Sequence, residues 1–182
     1  MPCARPRLNA ASRLFFALGL SLVCTLLQAQ FKSDWEIEYE KRNRKEAEVV
    51  LPAFPKSEDF IEFAVSAASD FHFYIDKASI SVAKDGVVRY TLIARSPAGV
   101  ENVSYEGIRC EDGSYRIYAY GSSNRAWRAV SQPWRPIQIN TVQRWHQVLR
   151  REYFCPINTI IHDAAEGIDA LKRGGNPKLK LG

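Results

Sequence analysis

Two Asp-Gly pairs, Asp85-Gly86 and Asp112-Gly113, constrain the middle of this chain more than any other feature. Each lies between runs rich in β-branched and aromatic residues. Asp-Gly suits a two-residue hairpin turn, because both central positions need positive φ. Residues 78–94, "ASISVAKDGVVRYTLIA", therefore read as two strands around such a turn. "SPAGVEN" is a second turn, "VENVSYEGIRC" a further strand, and "EDGS" a third turn. "YRIYAYG" then alternates Tyr115, Ile117 and Ala119 against Arg116, Tyr118 and Tyr120. Upstream, "FIEFAV" and "FHFYID" carry the same strand signal. Together these runs predict an antiparallel meander of four to six strands.

The flanks read differently. Residues 34–48, "DWEIEYEKRNRKEAE", place acidic residues before basic ones behind Ser33 or Asp34, an order that suits a helix dipole. Trp35, Ile37 and Tyr39 stand two apart, which leaves an extended start open. Two prolines in "LPAFPKSED" end the segment. Beyond the strands, Val142, Trp145, Val148 and Leu149 recur at helical spacing over 141–152, with Asn140 or Thr141 as the cap. A second helix over 159–173 stops at Gly174-Gly175. Strands followed by helices predict an α+β fold, with helices packed on one face of an antiparallel sheet.

The first 29 residues have the layout of a secretory signal peptide. Arg5, Arg7 and Arg13 precede an apolar run from Leu14 to Leu27, and Ala29 offers a cleavage site. The run is shorter than the roughly 20 residues that span a bilayer. Leu22-Val23 ahead of Cys24 lacks the small residue of a lipidation site. The expected organisation is a signal peptide over 1–29, one domain over 30–175 and a flexible tail over 176–182. No later run predicts a transmembrane span, and the length suffices for one domain with its own core.

Cys3 and Cys24 leave with the signal, so Cys110 and Cys155 remain as an even pair in an exported chain. Oxidising compartments keep such pairs as disulfides. The alternative, a metal or a reactive thiol, lacks a second Cys or a His at ligand spacing. The bridge would tie a strand end to the exit of the first C-terminal helix.

"DGVVRY", "YEGIRC", "YAYG", the surroundings of Trp127 and the downstream Cys155, in that order and spacing, resemble the family named after a cryptic neisserial protein. That family occurs among exported proteins of Gram-negative bacteria. The likeness runs from about Trp35 to Leu171. It implies an envelope location, periplasmic or outer, and a single domain. It carries no catalytic residues and no mechanism.

Catalytic motifs are absent: there is no Gly-x-Ser-x-Gly elbow, no Walker loop and no His-Glu-x-x-His helix. His72, His146 and His162 each stand alone, so neither a metal nor another cofactor is expected. Charge is the unusual feature. From Gly113 to Arg151 there is no Asp or Glu and no Lys, but there are seven arginines: Arg116, Arg125, Arg128, Arg135, Arg144, Arg150 and Arg151. Trp127, Trp134 and Trp145 each adjoin one of them. Residues 30–112 carry 11 basic and 16 acidic side chains, net −5, whereas 113–182 carry 11 and 4, net +7.

Guanidinium groups bind carboxylate and phosphate bidentately and stack on aromatic rings. This points to a non-enzymatic binding or scaffolding domain with an Arg/Trp face at Arg125, Trp127, Arg128, Trp134 and Arg135. The partner would be an envelope component, an anionic polymer or an acidic protein; export makes nucleic acid a poor fit. Two alternatives stay open. The acidic half of the chain pairs internally with the arginines while the tryptophans fill the core. Or the chain is an enzyme acting on an envelope substrate, with Arg89, Tyr105, Glu106 and His146 meeting in one cleft and Glu or His as general base. A surface-exposed adhesion-type module is a third reading. The sequence does not fix the oligomeric state.

Overall fold

One antiparallel sheet forms the frame of the computed structural model, which describes residues 33–36, 45–66, 69–138 and 144–180. The chain divides into two units, 1–44 and 45–182. In the first, Asp34–Glu36 form a helical turn. Its cap is reciprocal: the Ser33 amide and hydroxyl donate to Glu36 Oε2, both at 2.9 Å, and the Glu36 amide donates back to Ser33 Oγ at 3.3 Å. The signal region, the middle of the predicted 34–48 helix and the Asn140/Thr141 cap lie outside the described residues. Residues 45–48, predicted helical, are not. Their polar groups bind the sheet of the second unit instead: the Ala47 amide donates to Asp85, and Glu46 accepts from Arg116 and Tyr118.

In the second unit six strands run as a meander: β1 (Phe60–Phe63), β2 (His72–Val82), β3 (Val87–Arg95), β4 (Glu101–Arg109), β5 (Ser114–Gly121) and β6 (Trp127–Ala129). A two-residue β7 (Arg135–Pro136) also pairs with β5, opposite Ser114 and Tyr115, while β6 takes the Ala119–Gly121 end. The α+β expectation with an antiparallel meander holds.

The turns differ in detail from the prediction. Asp85 does not have positive φ; only Gly86 does, at 78°. The Ala83 amide bonds Val87 O, and the Gly86 amide bonds Ala83 O, giving a three-residue loop that closes on a left-handed residue. The Ser96–Val100 and Ser122–Ala126 loops repeat this bonding pattern. β2 departs from regular pairing between Asp76 and Ser81. There Asp76 Oδ1 accepts from the Ala78 amide, and Ser79 Oγ takes the Thr91 amide at 2.7 Å that the ladder would otherwise hold.

After the sheet, α1 (Trp145–Val148) continues as a π-helical segment, Leu149–Phe154. The predicted second helix begins later than residue 159, as α2 (Ala164–Lys172). Ile157 and Asn158, both with left-handed φ, turn the chain first, and Asp163 then caps α2 by accepting from the Glu166 amide at 2.9 Å. These helices cover one face of the sheet. Ile75, Val88, Tyr90 and Ile108 meet Leu149, Phe154 and Leu171 in the core. Cys110, just after β4, and Cys155, just after the π-helical segment, form a disulfide within this core.

The opposite face is crossed by residues 45–55. Val49 and Leu51 pack on Tyr105, Tyr118 and Ala119, and Pro52 O and Pro55 O accept hydrogen bonds from Trp127 and Arg125. Asn176, at the start of the expected tail, is buried, with its amide on Glu152 O at 2.7 Å. Among the described residues no helix is long and apolar enough to cross a membrane.

Candidate functional site

Strand alternation sends Ser104, Glu106 and Ile108 of β4 toward the helices. Tyr90 of β3 lies directly opposite Glu106 in register, and α1 brings His146 over the same point. The Glu106 carboxylate is 2% exposed, yet three donors meet it. Ser104 Oγ donates to Oε1 at 2.6 Å; Tyr90 Oη donates to Oε2 at 3.1 Å; His146 Nε2 lies 2.8 Å from Oε2. Burial alone would raise this carboxyl. The neighbouring His146, with the hydrogen bonds of His146, Ser104 and Tyr90, outweighs it and holds Glu106 below its ordinary range. Burial and the adjoining carboxylate push the Tyr90 phenol well above its usual value. The Tyr115 ring stacks on His146 with centroids 3.8 Å apart.

A cavity of about 510 Å³ opens against this cluster. Phe71, Phe73, Leu92 and Trp145 supply apolar wall, and Trp145 stacks on Phe73 at 5.4 Å. Glu106, His146 and Ser104 line it as well, and Arg135 and Tyr120 stand among its exposed lining residues. A mostly apolar hollow with a few convergent polar groups is the ordinary form of a small-molecule site.

The secondary candidates from the sequence split between the two faces. Glu106 and His146 meet. Arg89 and Tyr105 sit on the opposite face, where Arg89 Nη2 binds Asp85 Oδ2 at 2.6 Å and Tyr105 packs against Tyr118 and Trp127. The arginines split too. Arg116 bonds Glu46 at 2.7 Å, and Arg150 bonds Cys110 O and Asn158. Arg125 donates to Pro55 O at 2.7 Å and lies over the Phe54 ring; Trp127 donates to Pro52 O at 2.8 Å. Arg125 holds a left-handed φ of 58° where the sister loops use glycine, and its side chain fastens the 45–55 segment from there. Trp134 lies under the Arg109 guanidinium, 4.5 Å away. Arg128, Arg135, Arg144 and Arg151 are exposed, and their side chains make no hydrogen bond or ion pair among the described residues.

Sequence reasoning missed Ser104 and Tyr115 as neighbours of the pair, and the aromatic walls of the cavity. Alternation on β4 places Ser104 with Glu106, but nothing local shows that α1 crosses over them. Among the described residues no group of three or more His, Cys, Asp or Glu is placed to hold a metal ion.

Residues 39–172 match the model of the CNP1-like family. "Cryptic neisserial protein 1" of Neisseria gonorrhoeae (strain ATCC 700825 / FA 1090) is 28% identical over 137 residues, which is 66% of this chain and 67% of that relative. No solved structure matches. With its family model matched across most of its length, this chain belongs to the CNP1-like family.

Proposed function

We propose that the protein is an exported domain of the bacterial envelope that binds a small molecule in the cavity between β2, β3, β4, β5 and α1. The observation that carries this reading is the cavity itself, with the buried Glu106–His146 pair on its wall. Export rests on the N-terminal pattern and on the disulfide, which an oxidising compartment favours. Exposed Arg128, Arg135, Arg144 and Arg151 offer cationic groups to an anionic envelope component.

Binding fits Glu106 better than catalysis does. A carboxylate that accepts from three donors and is held ionised is a weak general base. Its geometry suits fixing His146 in place. The enzyme reading keeps one specific support, the 2.8 Å Glu106–His146 contact at a cavity wall, with His146 as the base. Native mass spectrometry of the protein isolated from its own envelope tests the lead reading. A co-purifying small molecule, lost on Phe71→Ala, is expected. Turnover of that molecule, abolished by His146→Gln, would replace binding with catalysis.

A further inference from the structure

We infer that the cavity takes a single-chain anionic amphiphile, with its apolar tail against Phe71, Phe73 and Trp145 and its carboxylate or phosphate head at Arg135. This inference rests on the cavity being a ligand site. Arg135 is exposed and lines the cavity, and its side chain makes no hydrogen bond or ion pair among the described residues. It also lies in the stretch from Gly113 to Arg151, which contains no acidic residue. The one carboxylate on the wall, Glu106, is already matched by Ser104, Tyr90 and His146. It therefore neither attracts a cationic head strongly nor repels an anionic one as a bare charge would.

The placement of the groups is also directional. β7 pairs Arg135 with Tyr115, and Tyr115 is the ring stacked on His146. The charged rim and the polar floor thus stand on either side of one aromatic residue. Phe71 and Tyr120, exposed aromatic side chains, lie on the same lining as Arg135. A head group held at the rim leaves the apolar wall to the tail, and the volume of about 510 Å³ falls within the range of sites that enclose a ligand of this size. Arginine is well matched to either head, since its fork binds carboxylate and phosphate oxygens in pairs.

Isothermal titration below the micelle limit tests this on the purified protein. The probes are laurate, dodecyl phosphate, a neutral twelve-carbon glycoside and dodecyltrimethylammonium. Laurate or dodecyl phosphate should bind one to one and at least about tenfold more tightly than the neutral and cationic probes. Arg135→Gln should weaken the anionic probe about tenfold and leave the neutral one unchanged, while Phe71→Ala should weaken all that bind. Both side chains are exposed, so near-UV circular dichroism should show an intact fold in each variant. Equal binding of anionic, neutral and cationic probes, or indifference to Arg135→Gln, overturns the anionic assignment but leaves the cavity reading. No binding by any probe, or binding indifferent to Phe71→Ala, overturns the cavity reading itself.

Discussion

Replacing both cysteines, Cys110→Ala with Cys155→Ala, removes a crosslink between positions 45 residues apart. For a closed loop of that size the chain-entropy model gives about 4 kcal/mol of stabilisation, by denying the unfolded chain its wider conformations. Both sulfurs are also buried in the core beside Phe154, so their loss removes some packing in addition. Domains of this size are stable by only about 5–15 kcal/mol, so the bridge is a large share of the total. With a urea dependence near 2 kcal/mol per molar, the unfolding midpoint should fall by about 2 M. The assay is urea unfolding of the oxidised protein and of the double variant, followed by tryptophan fluorescence. A second reading comes from thiol labelling. Cys110 and Cys155 should resist alkylation in the folded oxidised protein and react only after reduction under denaturing conditions. A midpoint shift under about 0.5 M, with an unchanged slope, would refute the argument that the bridge acts through the unfolded state. It would show instead that strand and helix are held together without it.

Four further outcomes follow from the buried groups and the turns. Glu106→Leu should destabilise by about 3–5 kcal/mol, because it strands His146, Tyr90 and Ser104 without an acceptor, whereas Glu106→Gln should lose less. Glu106 titrates below its ordinary 4.5 in the folded state, so its contribution is complete above that value and lost as pH falls through the folded one; acid unfolding profiles of wild type and Glu106→Gln should converge at low pH. Asp76 behaves oppositely: burial raises its carboxyl, with Asp59 adding to the rise against the Ala78 amide. The folded state then holds the proton longer, so Asp76→Asn should stabilise at neutral pH, and the gain should shrink as pH falls toward 3.8 in urea titrations. Ile157, exposed and β-branched at φ 54°, should give way to glycine with a gain of about 1 kcal/mol, read as a higher urea midpoint.

The residues that announced the fold are those whose local conformation is dictated by their own chemistry. Gly86 and Gly99 close their loops because left-handed φ costs glycine little, and the alternating strands between them need only a sheet to sit in. The cysteine pair was legible for a similar reason, since an expected export and an even count leave few other fates. What was illegible lies in contacts between segments far apart in sequence. Glu46 looks like one more acid in a helical run. Its actual position is set by Arg116 and Tyr118, some seventy residues away, and those bonds override the helical propensity around it. Asp85 reads as a turn residue and is one, but its carboxylate also gathers the Ala47 amide and the Arg89 guanidinium, a role that turn statistics do not encode.

The same logic explains why the Arg/Trp pattern divided. A guanidinium beside an indole is equally suited to an external anion and to an internal carbonyl. Arg125 and Trp127 found the carbonyls of Pro55 and Pro52, because the 45–55 segment crosses the sheet there. Arg135 faces the other side, where the helices cover the sheet only in part and a cavity remains. Helix α1 carries His146 over β4, and its own position is fixed by the π-helical segment that ends at the disulfide. The site is therefore a product of two long-range facts, a strap on one face and a clamped helix on the other. Neither has a signature of its own in the order of the residues, and together they decide which of the seven arginines are left without an internal side-chain partner.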